Sequence, residues 1–270
     1  MKLCAVYKVF NAETYLPYSM RSVYEHVDRI VVLLSTRPWS GHPAPPDSTE
    51  RIVRTFPDPE GKIQLLLKDW GAFPAPVDQL ANERRGMNFL LEWVRAEQPD
   101  VTHYFYVDAD EVYHGAHLRY LRRVLAGLTR PREVRGVWRC YWKSFAYWID
   151  PPEPSRPLVA FPVTADVRFV TQRDTSIGDA LVLPLRRFCI HHFSYALPSD
   201  TIYEMKCQGP HGASFVPRWW TDVWLRWDAD RGMTNLHPCW PTQYRRAVRS
   251  DPRALPPVMR GHPFLGRDIL

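Results

Sequence analysis

The 270-residue chain has no apolar run long enough to cross a bilayer. Its longest runs, such as Ile30 to Leu34, fall far short of the ~20 residues that a membrane helix needs. The apolar opening, Leu3 to Val9, is short and interrupted by Lys8, so no secretory signal is read there. Cysteine is sparse and odd in number. Cys4, Cys140, Cys189, Cys207 and Cys239 contain no CxxC pair and are expected to be free thiols in a reducing compartment. Charge of one sign is weak too. A formal charge of +6, evenly spread, favours anionic partners but does not indicate nucleic acid, and no zinc-finger, RNP or basic-zipper pattern occurs. Internal repeats and low-complexity tracts are absent. So are a P-loop and a GxGxxG motif. These absences predict a cytoplasmic protein with no nucleic-acid partner, and they leave peripheral membrane contact open.

What remains is ordinary for one large folded domain: 45% hydrophobic and 24% charged residues, with a heavy aromatic load of 11 Trp, 13 Tyr and 12 Phe. Aromatics supply buried area, and they also form flat binding platforms. The first 110 residues alternate in pattern. Strands are expected at Lys2–Phe10, Arg29–Leu34, Lys62–Leu67 and Tyr104–Val107. Between them lie helical spacings at Tyr15, Leu16, Met20, Val23 and Tyr24, after Asp47-Ser-Thr-Glu50, and from about Asp78 to Gln98. Such alternation predicts a mostly parallel α/β sheet flanked by helices, with ligands beyond the carboxyl ends of its strands. Asn11, Ser35 and Asp108 then share one rim. After Asp110 the pattern becomes α+β. A helix is expected around Leu118–Leu125, strands over Val137–Trp142, Leu158–Val170 and Arg187–Tyr195, and a Trp-rich helix over Trp219–Trp227. The Pro- and Arg-rich last 30 residues are expected to wrap the surface.

The chemistry centres on Asp108 and Asp110. Two carboxylates one residue apart at a strand end repel unless a cation lies between them or one is protonated. A hard divalent ion bridging to a diphosphate relieves that repulsion and stabilises a departing nucleoside diphosphate. The alternative is a solvated acidic turn.

Tyr106-Val-Asp-Ala-Asp-Glu111 resembles the DxD motif of GT-A glycosyltransferases, in the form found in family-2-like enzymes. Val9-Phe-Asn-Ala-Glu-Thr-Tyr-Leu16 is similar to their first strand and donor loop, and Asn82-Glu-Arg-Arg-Gly-Met-Asn88 to the helix before the DxD strand. His191-His-Phe-Ser-Tyr195, followed by Lys206 and His211, resembles their late HxSY…K…H segment. The resemblance implies a single GT-A-type, Rossmann-like domain over 1–270. Residues 1–111 would bind the nucleotide sugar, and 112–270 would form an α+β acceptor portion. It implies transfer from a nucleoside-diphosphate sugar to a hydroxyl of a glycan, lipid-linked sugar or small molecule, with inversion and with Mn²⁺ or Mg²⁺. Asp108, Asp110 and His192 (or His191) would hold the metal. Asn11, Glu13, Ser35, Arg85, Asp108 and Lys206 would meet the donor, with solvated surface charge as the alternative for Arg85 and Lys206. Glu111 is the candidate catalytic base, beside Asp166, Asp174 and Asp179. Trp142, Tyr147 and Trp148 are candidates for an acceptor wall, or else for the core. The chain departs from the family at Leu34–Gly41, which lacks the Asp-rich turn that holds the base; an Asp-Ser-Thr comes only at Asp47. Two further readings compete. A sugar nucleotidyltransferase would open with a glycine-rich loop, which Phe10-Asn-Ala-Glu13 is not. A non-catalytic carbohydrate-binding module would use the Trp-rich half.

Overall fold

A computed structural model describes residues 1–37, 45–69, 79–207 and 214–269. In chain order the strands are β1 (Leu3–Val9), β2 (Arg29–Ser35), β3 (Ile63–Lys68), β4 (His103–Val107), β5 (Glu111–Val112), β6 (Glu133–Arg135), β7 (Trp138–Trp142), β8 (Ser144–Asp150), β9 (Leu158–Pro162), β10 (Ala180–Val182), β11 (Ile190–Tyr195) and β12 (Arg246–Arg249). The helices are α1 (Leu16–Val23), α2 (Thr49–Arg54), α3 (Gln79–Glu97), α4 (Gly115–Ala126) and the short α5 (Ser199–Ile202). Asp78, the expected start of the long helix, lies outside the described residues.

The chain forms two compact units: 1–136 with 156–189, and 137–155 with 190–270. The expected division after Glu111 falls inside the first unit. The reason is that β6, β9 and β10, all later in sequence, complete the sheet of that unit. The sheet runs β10-β6-β9-β4-β1-β2-β3. β3, β2, β1 and β4 are mutually parallel, and β9 is antiparallel to β4. This is the expected class, a mostly parallel sheet flanked by helices. β1 and β2 are buried along both faces, which is why they read as unbroken apolar runs. β3, at the edge, is only half-buried.

Side chains alternate across the sheet. Cys4, Val6, Val31, Leu33, Tyr104 and Tyr106 meet the Met87, Leu90, Leu91 and Val94 face of α3, whose spacing is that of one helix side. On the opposite face Tyr7 reaches α1, its hydroxyl 3.1 Å from Ser19 Oγ. The expected strand over Leu158–Val170 stops at Pro162; beyond it only Phe169 bridges, to Thr175.

In the second unit β7 pairs antiparallel with β8 and parallel with β11, and β8 pairs with β12. The ring of Trp142 meets Tyr195, Trp219, Trp224, Trp227 and Tyr244 at centroid distances of 5.0–6.4 Å. The Trp-rich segment forms one wide helical turn over Trp220–Trp224 rather than a continuous helix. The expected surface tail is partly core, with Leu255, Met259 and His262 buried. None of the five cysteines is in a disulfide. Among the described residues no helix is long and apolar enough to cross a membrane.

Phe161 is fully buried in the first unit, between Tyr104 at 4.9 Å and Phe169 at 5.4 Å. Phe161→Ala is expected to cost about 3–5 kcal/mol, read as a lower urea midpoint at unchanged m-value. An unchanged midpoint would contradict this packing.

Candidate functional site

The strand order reverses at β1, with β2 and β3 added on one side of it and β4 on the other; in parallel sheets such a point opens a crevice beyond the carboxyl ends of the flanking strands, here β1 and β4. Two loops line it. After β1, Asn11 takes a left-handed backbone (φ 48°), a conformation that asparagine tolerates better than most residues. Both ends of its side chain are engaged: Nδ2 donates to Pro45 O at 2.8 Å, and Oδ1 accepts from Asp47 N at 3.1 Å. Glu13 Oε2 accepts from Ser48 N and Oγ at 3.0 and 2.7 Å, and these bonds hold its carboxyl below the usual range. Asp47 accepts from Glu13 N, and Thr49 Oγ1 from Ala12 N. The Asp47-Ser-Thr stretch thus lies against the first loop. Asn11 and Glu13, expected at the donor, tie the two segments together. Ser35 closes β2 with a hydrogen bond from Oγ to Arg37 O.

After β4 the chain turns through Asp108, Ala109 and Asp110, all half-buried. The turn is fixed from beneath. Glu111, only 1% exposed, accepts on Oε2 from Asp108 N at 3.2 Å and from Tyr113 Oη at 2.8 Å. Glu111, the expected catalytic base, has its side chain buried and bound to the turn it supports. The other candidate carboxylates are engaged as well. Asp174 pairs with Arg135, Asp179 with Arg130 and Arg132, and Asp166 accepts from Thr164 Oγ1.

Asp108 Oδ2 forms an ion pair with the guanidinium of Arg173, a residue that sequence reasoning missed. The two side chains are 27% and 32% exposed. Arg173 lies 4.7 Å over the Tyr106 ring. Burial opposes its charge, but Asp108, Tyr106 and Glu111 outweigh burial and keep the guanidinium protonated. The loop carrying Arg173 is held at both ends. Asn88 of α3 exchanges hydrogen bonds with Phe169 N and O at 2.8 and 3.1 Å, and Arg84 donates to Val170 O. Buried Glu133 accepts from Thr175 N and Oγ1. Arg85, expected at the donor, is exposed on the same helix.

A divalent cation of the diphosphate-bridging kind takes one or two carboxylates and completes its shell with phosphate oxygens and water. Asp110 and Asp108 fit that role, with Arg173 competing for Asp108. Among the described residues no three His, Cys, Asp or Glu side chains converge into a ready ligand set.

The remaining candidates lie in the second unit. His192, expected as a metal ligand, has Nδ1 3.5 Å from Cys140 Sγ and stacks on Trp138 at 5.0 Å. His191 is buried, with Nδ1 3.0 Å from Tyr141 Oη. Lys206 Nζ donates to Ser194 Oγ at 2.6 Å and lies 5.0 Å over the Tyr195 ring. His211 lies outside the described residues. Of the expected acceptor wall, Trp142 is 0% exposed and belongs to the core. Tyr147 is buried against Trp227 at 5.0 Å. Trp148 is half-buried, with the Arg139 guanidinium 3.9 Å over its ring.

No protein-family model matches the chain, and no curated protein matches it in sequence. Solved structures match at low similarity. One is 4-diphosphocytidyl-2C-methyl-D-erythritol synthase from Anaerococcus prevotii DSM 20548, with 11% identity over 75% of this chain and 93% of that one, TM-score 0.37. A glycosyltransferase involved in glycosylation of the major capsid of PBCV-1 is 10% identical over 71% and 93%, TM-score 0.34. Mannose-1-phosphate geranyltransferase from Thermus thermophilus is 14% identical over 61% and 51%, TM-score 0.29. These likenesses are too distant to bear on activity.

Glu111→Ala strands the Asp108 amide and the Tyr113 hydroxyl, and is expected to lower stability by about 1–3 kcal/mol, measured by chemical denaturation. A Glu111→Ala protein that is as stable as wild type would show that this carboxylate is not the support of the turn.

Proposed function

We propose that the chain is a glycosyltransferase, using a nucleoside-diphosphate sugar as donor and a hydroxyl-bearing carbohydrate or lipid head as acceptor. One observation supports this above the others. The Asp108-Ala109-Asp110 turn ends the strand beside β1, at the crevice where the sheet order reverses, and a fixed guanidinium stands against it. Such crevices receive nucleotides. A paired carboxylate and guanidinium offer complementary contacts to a nucleoside diphosphate: the arginine for phosphate oxygens, the aspartate for ribose hydroxyls.

In this reading Asp110, with Asp108, holds Mn²⁺ or Mg²⁺. The ion, when bound, supplies positive charge for the departing diphosphate. Arg173 leaves Asp108 for a phosphate oxygen, and Glu111 keeps the turn in place during the exchange. Asn11 and Glu13 act one step back, by fixing the loop after β1 against Asp47-Ser48-Thr49. The acceptor falls to the second unit, where Trp148 is the one expected wall residue that is partly exposed.

The test is product analysis with a panel of nucleoside-diphosphate sugars, with and without simple sugar acceptors. A glycosyltransferase releases nucleoside diphosphate, slowly even without acceptor. A nucleotidyltransferase instead makes or consumes pyrophosphate. Asp110→Asn is expected to lower turnover at least ~100-fold at unchanged melting temperature, and EDTA to stop turnover until Mn²⁺ is restored. Pyrophosphate as the product, or full turnover by Asp110→Asn, contradicts the proposal.

A further inference from the structure

Lys143 has three unusual properties at once. It is the single residue between β7 and β8, and its backbone is left-handed (φ 59°), an uncommon state for a side-chain-bearing residue that tends to be kept where function needs it. It is 5% exposed, a rare burial for lysine. Its ammonium has no hydrogen bond and no ion pair among the described residues. Nζ lies 4.8 Å from the ring centroid of Trp224. A ring face gives a cation part of what it loses on leaving water. Burial alone, with no carboxylate to oppose it, pushes the ammonium below the ordinary lysine range.

The backbone explains how the lysine is kept there. Lys143 N donates to Tyr195 O at 2.7 Å. The side chain is thereby fixed next to an aromatic cluster in which Trp142 and Trp224 are both fully buried. A second cation meets the same cluster: Lys206 stands over Tyr195, whose ring is 6.3 Å from Trp224. Among the described residues Trp142 Nε1 is sealed off without a partner, whereas Lys143 keeps a small exposed surface, 5%. A buried, unpaired charge destabilises a fold. A chain that folds around one gains when a ligand brings the counter-charge.

We propose that Lys143 anchors an anion site in the second unit, taking an anionic oxygen group, phosphate or carboxylate, of a ligand. Combined with the function proposed above, the anionic group belongs to the acceptor, which is then a phosphorylated or acidic carbohydrate or a lipid head. That assignment rests on the transferase reading; the site itself does not.

The test is calorimetric titration of the full chain, without metal, with sodium pyrophosphate and separately with sodium malonate. Both are run in an Arg173→Met background, so that the first unit's guanidinium cannot answer. Binding of at least one anion, weakened tenfold or more by Lys143→Met and retained by Lys143→Arg, is expected. The tighter anion identifies phosphate or carboxylate as the natural group. No binding of either anion, or equal binding after Lys143→Met, overturns the proposal. Should Lys143→Met fail to fold, acetylation of Lys143 by acetic anhydride is followed by peptide mass analysis in the otherwise wild-type chain. Slower labelling with the anion present supports the site, and unchanged labelling overturns it. A chain that binds no nucleoside diphosphate yet passes this test loses the transferase reading and keeps the anion site.

Discussion

A buried carboxylate holding a backbone amide governs the candidate site. Glu111 sits below the turn that follows β4 and accepts from Asp108 N and from the Tyr113 hydroxyl. In a low-dielectric setting such bonds are costly to lose. Their effect is geometric. They fix the backbone at Asp108, so the two aspartates of the turn are presented at the strand end rather than drifting with a loose loop. Tyr113 is itself tied down: its N donates to Ser22 Oγ, and Ser22 Oγ donates to Ser19 O in α1. The support of the turn therefore runs back into the helix after β1.

Arg173 is placed by the same logic on the other side. It follows β9, on a loop with little regular structure, yet each end of that loop is bonded into the fold. Asn88 and Arg84 of α3 hold Phe169 and Val170, and Glu133 of β6 holds Thr175. Arg135 links Glu133 to Asp174, next to Arg173. Buried polar networks of this kind favour one geometry because partial satisfaction is expensive. The result is a fixed charge pair at a crevice, a preorganised feature of the sort that binding sites need.

Much of this architecture is legible in the sequence. β1, β2 and β4 are buried on both faces, so their apolar runs are unbroken, and the face of α3 repeats at helical spacing. The Asp108-Ala-Asp110 turn follows directly from a strand ending in Tyr106-Val107. What is hidden has physical causes. β6 and β10 have three residues each, too few for a period to show. Arg173 lies 65 residues from its partner, and only the tertiary fold brings them together. Adjacency to the motif says nothing of which way the Glu111 side chain turns, and the fold buries it beneath the turn. Trp142 and Trp148 share a residue type and neighbourhood, but strand alternation with its bulge buries the first fully and leaves the second half-exposed. Lys143 carries one signal in retrospect: a lysine inside Tyr141-Trp-Lys-Ser-Phe145, where a strand-to-strand turn interrupts an aromatic run.

The central claim is that the Asp108–Arg173 rim receives a nucleoside diphosphate. It is tested most directly by calorimetric titration of uridine, guanosine, cytidine and adenosine diphosphates into wild type and Arg173→Met, with Mn²⁺ present. The account predicts that at least one binds wild type, and that Arg173→Met weakens it by about tenfold or more, 1.4 kcal/mol, without loss of the folded state. Equal affinity in the two proteins, or no binding of any nucleotide, would contradict it.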